Sequence, residues 1–396
     1  MSRLFLLGVL VSIGYPAFEQ DIYSSRIVYL LPAMQKVIIK EKLPFRTVND
    51  TTLTFDIYYP PGFNFRSNLP LVIFNNGVGS LEIPRWGVYK DWARLIGASG
   101  MIAINHQSRG GSALEDCESL VDYLRSHASE LNIEPNRIGL WTCSANTRNG
   151  TRLAYKTRPN DIKALVIYYG VIDSLGELRQ DLPLFLVRAG LDAQGINIGM
   201  ENFVQAAMVQ DIRFELINYL EGIHAFDIYT NTNESREIIR RTVAFLKDNL
   251  TQKNLPEKKF VLTNRNFIWL VNNNQLDRAM TEFRKAREMY RKDSTFKPFY
   301  NGVIREDALN ANAYWLLDNH KQKEALEVFK LMVESYPASA NAYDGLSEAY
   351  EILNNKGEAI RNAEKCIDLL NKPNQLNAQF AARIRTAAEE RLKRLK

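Results

Sequence analysis

Apolar residues recur along the first two thirds of the chain with two periods in turn. Leu53, Phe55, Ile57 and Tyr59 alternate with polar residues, which predicts an edge strand ended by Pro60-Pro61-Gly62. Leu69 to Phe74 is instead a continuous apolar run, the signature of a strand buried on both faces. Strands of the same kind are predicted at 101–104, 138–141, 164–169, 182–187 and 214–219. Helical spacing intervenes at 86–96, 114–131, after the 138–141 strand, at 199–209 and at 236–250. Strand alternating with helix predicts a mostly parallel, doubly wound α/β sheet covered on both sides. In such sheets functional residues collect at the carboxyl ends of the strands. Residues 20–47 carry an apolar patch at 27–31 and read as a helical or irregular lead-in.

Beyond Pro256-Glu257-Lys258-Lys259 the pattern is helical throughout, and it repeats. Ala325, Phe329, Met332 and Pro337 reappear as Ala359, Ala363, Cys366 and Asn371, each 34 positions later. Ala279, Phe283 and Ala286 form a weaker copy, displaced from the first set by 46, which implies an insertion of about a dozen residues near 292–300. Helix pairs are expected at 303–319 with 321–335 and at 338–354 with 356–370, with a capping helix from 374. The period of 34, with small residues where helices meet, resembles the tetratricopeptide repeat. That resemblance implies a protein partner or self-association. The resulting division is a leader or anchor at 1–17, the lead-in at 18–48, a sheet domain at 49–252, a linker at 253–261 and a repeat domain at 262–396.

Composition changes this picture only at the edges. A net charge of +5 over 396 residues is mild and, with no basic motif, gives no reason to expect nucleic acid. Three widely spaced cysteines, Cys117, Cys143 and Cys366, suggest neither a disulfide framework nor a zinc site. At the N-terminus Arg3 precedes a ten-residue apolar run, Leu4–Ile13, too short for a comfortable membrane span and suited to a secretory signal. Export, periplasmic or secreted, with an N-terminal anchor as the alternative, is the expectation.

Chemistry enters at Ile138 to Asn146. A buried strand stops at Thr142-Cys143-Ser144-Ala145-Asn146 and a helix follows, the setting in which a tight turn lifts a serine hydroxyl out of the sheet. The next N–H, of Ala145, would stand at a helix N-terminus and stabilise an oxyanion. The usual pattern G-x-S-x-G is altered at both glycines, to Thr142 and Asn146; asparagine tolerates positive φ and would partly replace the second. Four histidines offer a base. His320 lies in the repeats and His127 on a helix face. His106 ends a strand and is a candidate for the cleft, whereas His224, in the loop after the last strand, stands where a general base is expected. Asp192, after the strand 182–187, is the acid that would orient it. The loop after Phe74 offers Asn76, Gly77 and Val78 as further oxyanion donors, beside Asn75. Cys143 is a rival nucleophile, disfavoured because Trp141 would then crowd the turn.

Phe74-Asn75-Asn76-Gly77, the turn at Ser144, Gly190-Leu191-Asp192 and Gly222-Ile223-His224-Ala225-Phe226 occur in order. Together they resemble an α/β-hydrolase of the dienelactone-hydrolase/acyl-esterase type, from Leu53 to about Leu250. The resemblance implies ester hydrolysis through an acyl-enzyme, with Ser144, Asp192 and His224 as triad and no metal or cofactor. A peptidase shares that triad, and an inactive platform carrying the repeats is the reading from another class.

Overall fold

The structure, a computed structural model, describes residues 23–251, 262–292, 302–372 and 377–396. The 1–17 leader, the 253–261 linker and nearly all of the 292–300 insertion lie outside them. Eight strands form one sheet: β1 (Ile38–Val48), β2 (Thr51–Tyr59), β3 (Leu69–Asn75), β4 (Ile102–His106), β5 (Ile133–Cys143), β6 (Ile162–Tyr168), β7 (Leu184–Ala189) and β8 (Phe214–Tyr219). Their spatial order is β1-β2-β4-β3-β5-β6-β7-β8. β1 pairs antiparallel with β2, and β2 with β4; every other pairing is parallel.

Alternate residues of the central strands feed two cores. Leu71, Ile73, Leu140, Leu165 and Ile167 face one side, against α2 (Ala113–Ser126), the segment after α3 (Thr147–Arg152), and α4 (Gln194–Val209). Val72, Phe74, Trp141, Val166 and Tyr168 face the other, against α1 (Gly87–Ala98) and α6 (Asn233–Thr251), with the short α5 (Phe226–Tyr229) before it. Burial of both faces explains the unbroken apolar runs of β3 and β6. The sheet is doubly wound and mostly parallel, and with the helical region that follows it fits an α/β-hydrolase plus a helical domain.

Two expectations need correction. The lead-in 18–48 is not irregular at its end: residues 38–48 are β1, the true edge strand, and β2 lies inside the sheet. The alternation of β1 is hidden by irregularities in its register at Lys40/Leu43 and Pro44/Arg46. Lys40, Glu41 and Lys42 are charges of the kind that protect an edge from further pairing.

A second compact unit holds the helices α7 (Asn264–Asn272), α8 (Leu276–Lys292), α9 (Glu306–Asp318), α10 (Gln322–Ser335), α11 (Ala340–Ile352), α12 (Lys356–Leu370) and α13 (Ala378–Leu395). Three of the four pairs related by 34 are buried, Ala325, Phe329 and Met332 on α10 and Ala359, Ala363 and Cys366 on α12, whereas Pro337 and Asn371 are exposed. Small residues allow close approach. A Cβ on Gly345 of α11 would stand 2.3 Å from the Phe329 ring on α10. Side-chain caps start α11 and α12: Ser339 Oγ accepts from the Ala342 N–H and Asn355 Oδ1 from the Glu358 N–H. Among the described residues no helix is long and apolar enough to cross a membrane.

Candidate active site

β5 carries extended backbone to Cys143, a single 3-10 turn spans Ser144–Asn146, and α3 begins at Thr147. Ser144 itself is left-handed, with φ 52°. That conformation costs a non-glycine residue of order 1 kcal/mol, and such strain is typically held in place by surrounding structure at functional sites. Here two features hold it. Thr142 Oγ1 donates to the Asn146 carbonyl at 3.0 Å, and Thr147 Oγ1 reaches the Ser144 carbonyl at 2.8 Å and that of Val171 at 2.6 Å.

The altered glycines have separate explanations. Room for Thr142 is made on the facing helix, where a Cβ on Gly150 would stand 2.6 Å from Thr142 Oγ1. The small residue has moved from the strand to its partner. At 146 the expectation of a positive φ is wrong: Asn146 has φ −89°, within the right-handed region. The left-handed residue of the turn is the serine, so position 146 makes no conformational demand for glycine.

Three predicted residues come together. Ser144 Oγ lies 2.9 Å from His224 Nε2, and His224 Nδ1 lies 2.7 Å from Asp192 Oδ2. The Asp192 side chain is 4% exposed and that of His224 36%, so the line runs from a buried carboxylate through the imidazole to a half-buried serine. The second carboxylate oxygen accepts the Ala193 N–H at 2.7 Å. The loops after β7 and β8 are joined by backbone bonds, Gly190 N–H to the Tyr219 carbonyl at 2.7 Å and Leu191 N–H to the Gly222 carbonyl at 2.8 Å. These set Asp192 and His224 at a fixed separation. With Asp192 accepting from Nδ1–H, Nε2 presents its lone pair to the Ser144 hydroxyl, the tautomer proton abstraction requires.

Sequence reasoning missed what lies beneath His224. Tyr169 packs on the imidazole with ring centroids 4.9 Å apart, and its hydroxyl donates to Asp227 Oδ1 at 2.7 Å. Trp92 Nε1–H donates to Asp227 Oδ2 at 2.8 Å. Asp227 is fully buried, and burial raises its pKa above the ordinary carboxylate value. Nothing local marks it: it follows the His224 motif as any first-turn acid of a short helix would, and its partners are 58 and 135 positions away.

The remaining candidates divide. The Ala145 N–H stands in the first turn after Ser144, where helical N–H groups lack an internal partner. The Gly77 N–H is already given to the Tyr89 hydroxyl at 3.2 Å, whereas no partner for the Val78 N–H occurs among the described residues. The side chains of Asn75 and Asn76 are buried in a polar network and line no cleft. Asn76 Nδ2 donates one of its two hydrogens to Asn105 Oδ1. Cys143 is 1% exposed, its thiol pushed up strongly by burial, with Tyr89 Oη 3.7 Å from its sulfur; it is neither a cleft residue nor a nucleophile. His106 is also buried, edge-on to Phe45, with Nδ1 3.1 Å from the Gln107 carbonyl. Burial lowers its pKa to about 4. It joins none of the three aligned residues.

No family model matches the chain, and no curated protein matches it. Among solved structures it is similar to one of two fungal esterases from Rhizomucor miehei, at 17% identity, covering 55% of this chain and 85% of that one with TM-score 0.46. It is also similar to a thermophilic esterase of the Planctomycetes species Thermogutta terrifontis, Est2, at 18% identity over 57% of this chain and 97% of that one, TM-score 0.45.

Proposed function

We propose that the chain is a serine hydrolase acting on a carboxylic ester, of the dienelactone-hydrolase/acyl-esterase type. The observation that carries this reading is the hydrogen-bonded line Ser144–His224–Asp192, with a left-handed serine at the tip of a strand-turn-helix. Ser144 Oγ attacks the acyl carbonyl while His224 Nε2 takes its proton. Asp192 holds the tautomer and stabilises the imidazolium. Negative charge on the carbonyl oxygen is met by the Ala145 N–H and, since Gly77 N–H is occupied, by that of Val78. Collapse breaks the ester C–O bond, and the alcohol leaves with the proton from Nε2. Water then attacks the acyl-serine by the same steps in reverse roles. The 262–396 helices are read as tetratricopeptide repeats that bind a protein partner or a second copy of this chain, and residues 1–17 as an export signal or anchor.

The test is labelling of the full chain with a fluorophosphonate probe and turnover of p-nitrophenyl acetate. Both are expected in the wild type. In Ser144→Ala labelling is abolished and kcat falls by about 10⁶-fold. Labelling that survives in Ser144→Ala ends the assignment, and a wild type with no turnover leaves the inactive-platform reading in its place.

A further inference from the structure

Five asparagines form one connected path from α3 to β4. Asn149 Nδ2 donates to Asn146 Oδ1 at 2.8 Å. Asn146 Nδ2 donates to Asn75 Oδ1 at 2.9 Å and to the Asn76 carbonyl at 2.7 Å. Asn75 Nδ2 returns a bond to the Asn146 carbonyl at 3.3 Å. Asn76 Nδ2 continues to Asn105 Oδ1, and Asn105 Nδ2 ends on the Pro84 carbonyl at 2.6 Å. Asn75, Asn76, Asn105 and Asn146 are at most 3% exposed. Burying four amides is costly unless they are partnered, and removing one strands its neighbours.

The path runs between the two places that would hold the oxyanion: the turn at Ser144–Ala145 and the loop at 76–78. Its centre, Asn146, is the residue standing where the usual pattern has glycine. With φ −89° the backbone does not need glycine there, and the side chain that glycine would delete donates two of the three hydrogen bonds that join Asn75 and Asn76 to the turn, the third running from Asn75 Nδ2 to the Asn146 carbonyl. On the serine-hydrolase reading above, we propose that Asn146 is a positioning residue, which sets the 76–78 loop, and with it the Val78 N–H, against the oxygen of the carbonyl whose carbon Ser144 attacks. The altered motif is then a substitute for glycine with a task of its own, and restoring glycine damages the enzyme.

The loop meets charge that develops during attack, so its displacement reads out in kcat and not in KM. Loss of an oxyanion donor costs about 10²–10³ in kcat; a donor moved aside is expected to cost about 30- to 100-fold. The experiment measures p-nitrophenyl acetate turnover by the full chain, expressed per serine titrated with a fluorophosphonate. Asn146→Gly is expected to lower kcat per titrated serine by that factor, with KM within about twofold. Asn146→Asp, which keeps the shape but has no N–H to give, should match it. Asn75→Ala combined with Asn146→Gly should be no worse than the poorer single variant, because both cut one path. A merely structural role lowers the titratable fraction and the melting temperature and leaves kcat per titrated serine alone. That outcome, or wild-type kcat in Asn146→Gly, overturns the proposal. Should variants at 146 not fold, Asn105→Ala at the far end of the path must by itself lower kcat per titrated serine, and an unchanged value there overturns it equally. Ser144→Ala separates the two levels. Turnover surviving in it defeats the serine-hydrolase reading and this proposal together, whereas loss of turnover in it beside an undamaged Asn146→Gly defeats the asparagine role alone.

Discussion

The two units bury different things. In the helical unit the repeated buried positions are alanine, phenylalanine, methionine and cysteine, 34 apart, and the buried guanidinium of Arg391 is answered by Asp344 and Glu351. In the sheet unit, Asn75 and Asn76 lie at and just past the end of β3. Asn105 and His106 lie at the end of β4, and Thr142, Asn146 and Thr147 lie around the end of β5. Polar atoms there crowd one edge of the core, at a cost in desolvation. Some stay unmatched: His106 Nε2 and Asn76 Oδ1 have no hydrogen-bond partner among the described residues. Periodic burial of small apolar groups is explained by packing alone. Concentrated burial of amides at strand ends is not explained by packing alone, and on the proposed hydrolase reading it would supply fixed dipoles before charge develops.

That contrast can be broken first at Asp192. Asp192→Asn leaves the shape of the line but favours the wrong imidazole tautomer, and kcat on p-nitrophenyl acetate should fall about 10⁴-fold with the fold intact. A loss under tenfold would mean that the carboxylate only fills space. Next comes the cost of burying His106. The native ring stays neutral until about pH 4, while the unfolded chain takes up a proton near pH 6.5. The stability involved is therefore full above about pH 6.5 and lost as pH falls towards 4, to a total of about 3 kcal/mol. Urea denaturation at pH 7.5 and 4.5 should show a steeper decline in the wild type than in His106→Gln; equal slopes would count against it. The smallest effect sharpens the comparison itself. Gly150→Ala, which drives a methyl into Thr142, and Gly345→Ala, which drives one into Phe329, should each cost about 1–3 kcal/mol by overpacking. Only the first should also lower kcat, and Thr142→Gly in the same chain should restore it. Equal effects on turnover would erase the distinction between the units.

Much of this molecule is legible in its sequence. Hydrophobic period separates strand from helix because it reports which face each residue buries, a local property. The 34-residue offset predicts the helix pairs for the same reason. Chain order places Ser144, Asp192 and His224 after β5, β7 and β8, and a parallel sheet delivers strand ends to one side. What tertiary structure alone decided depends on how the chain folds back, mostly on partners remote in sequence. The edge strand β1 is obscured by irregular register and charge. Thr142 is accommodated by Gly150 across the turn. Asn146 meets Asn75 from 71 positions away, and Asp227 meets Trp92 from 135. No short window of the sequence contains both members of the last two pairs, and Thr142 and Gly150, though only eight positions apart, are brought face to face by the turn between them. So the two altered glycines read as defects along the chain and become, in three dimensions, a relocated space and a hydrogen-bonding group.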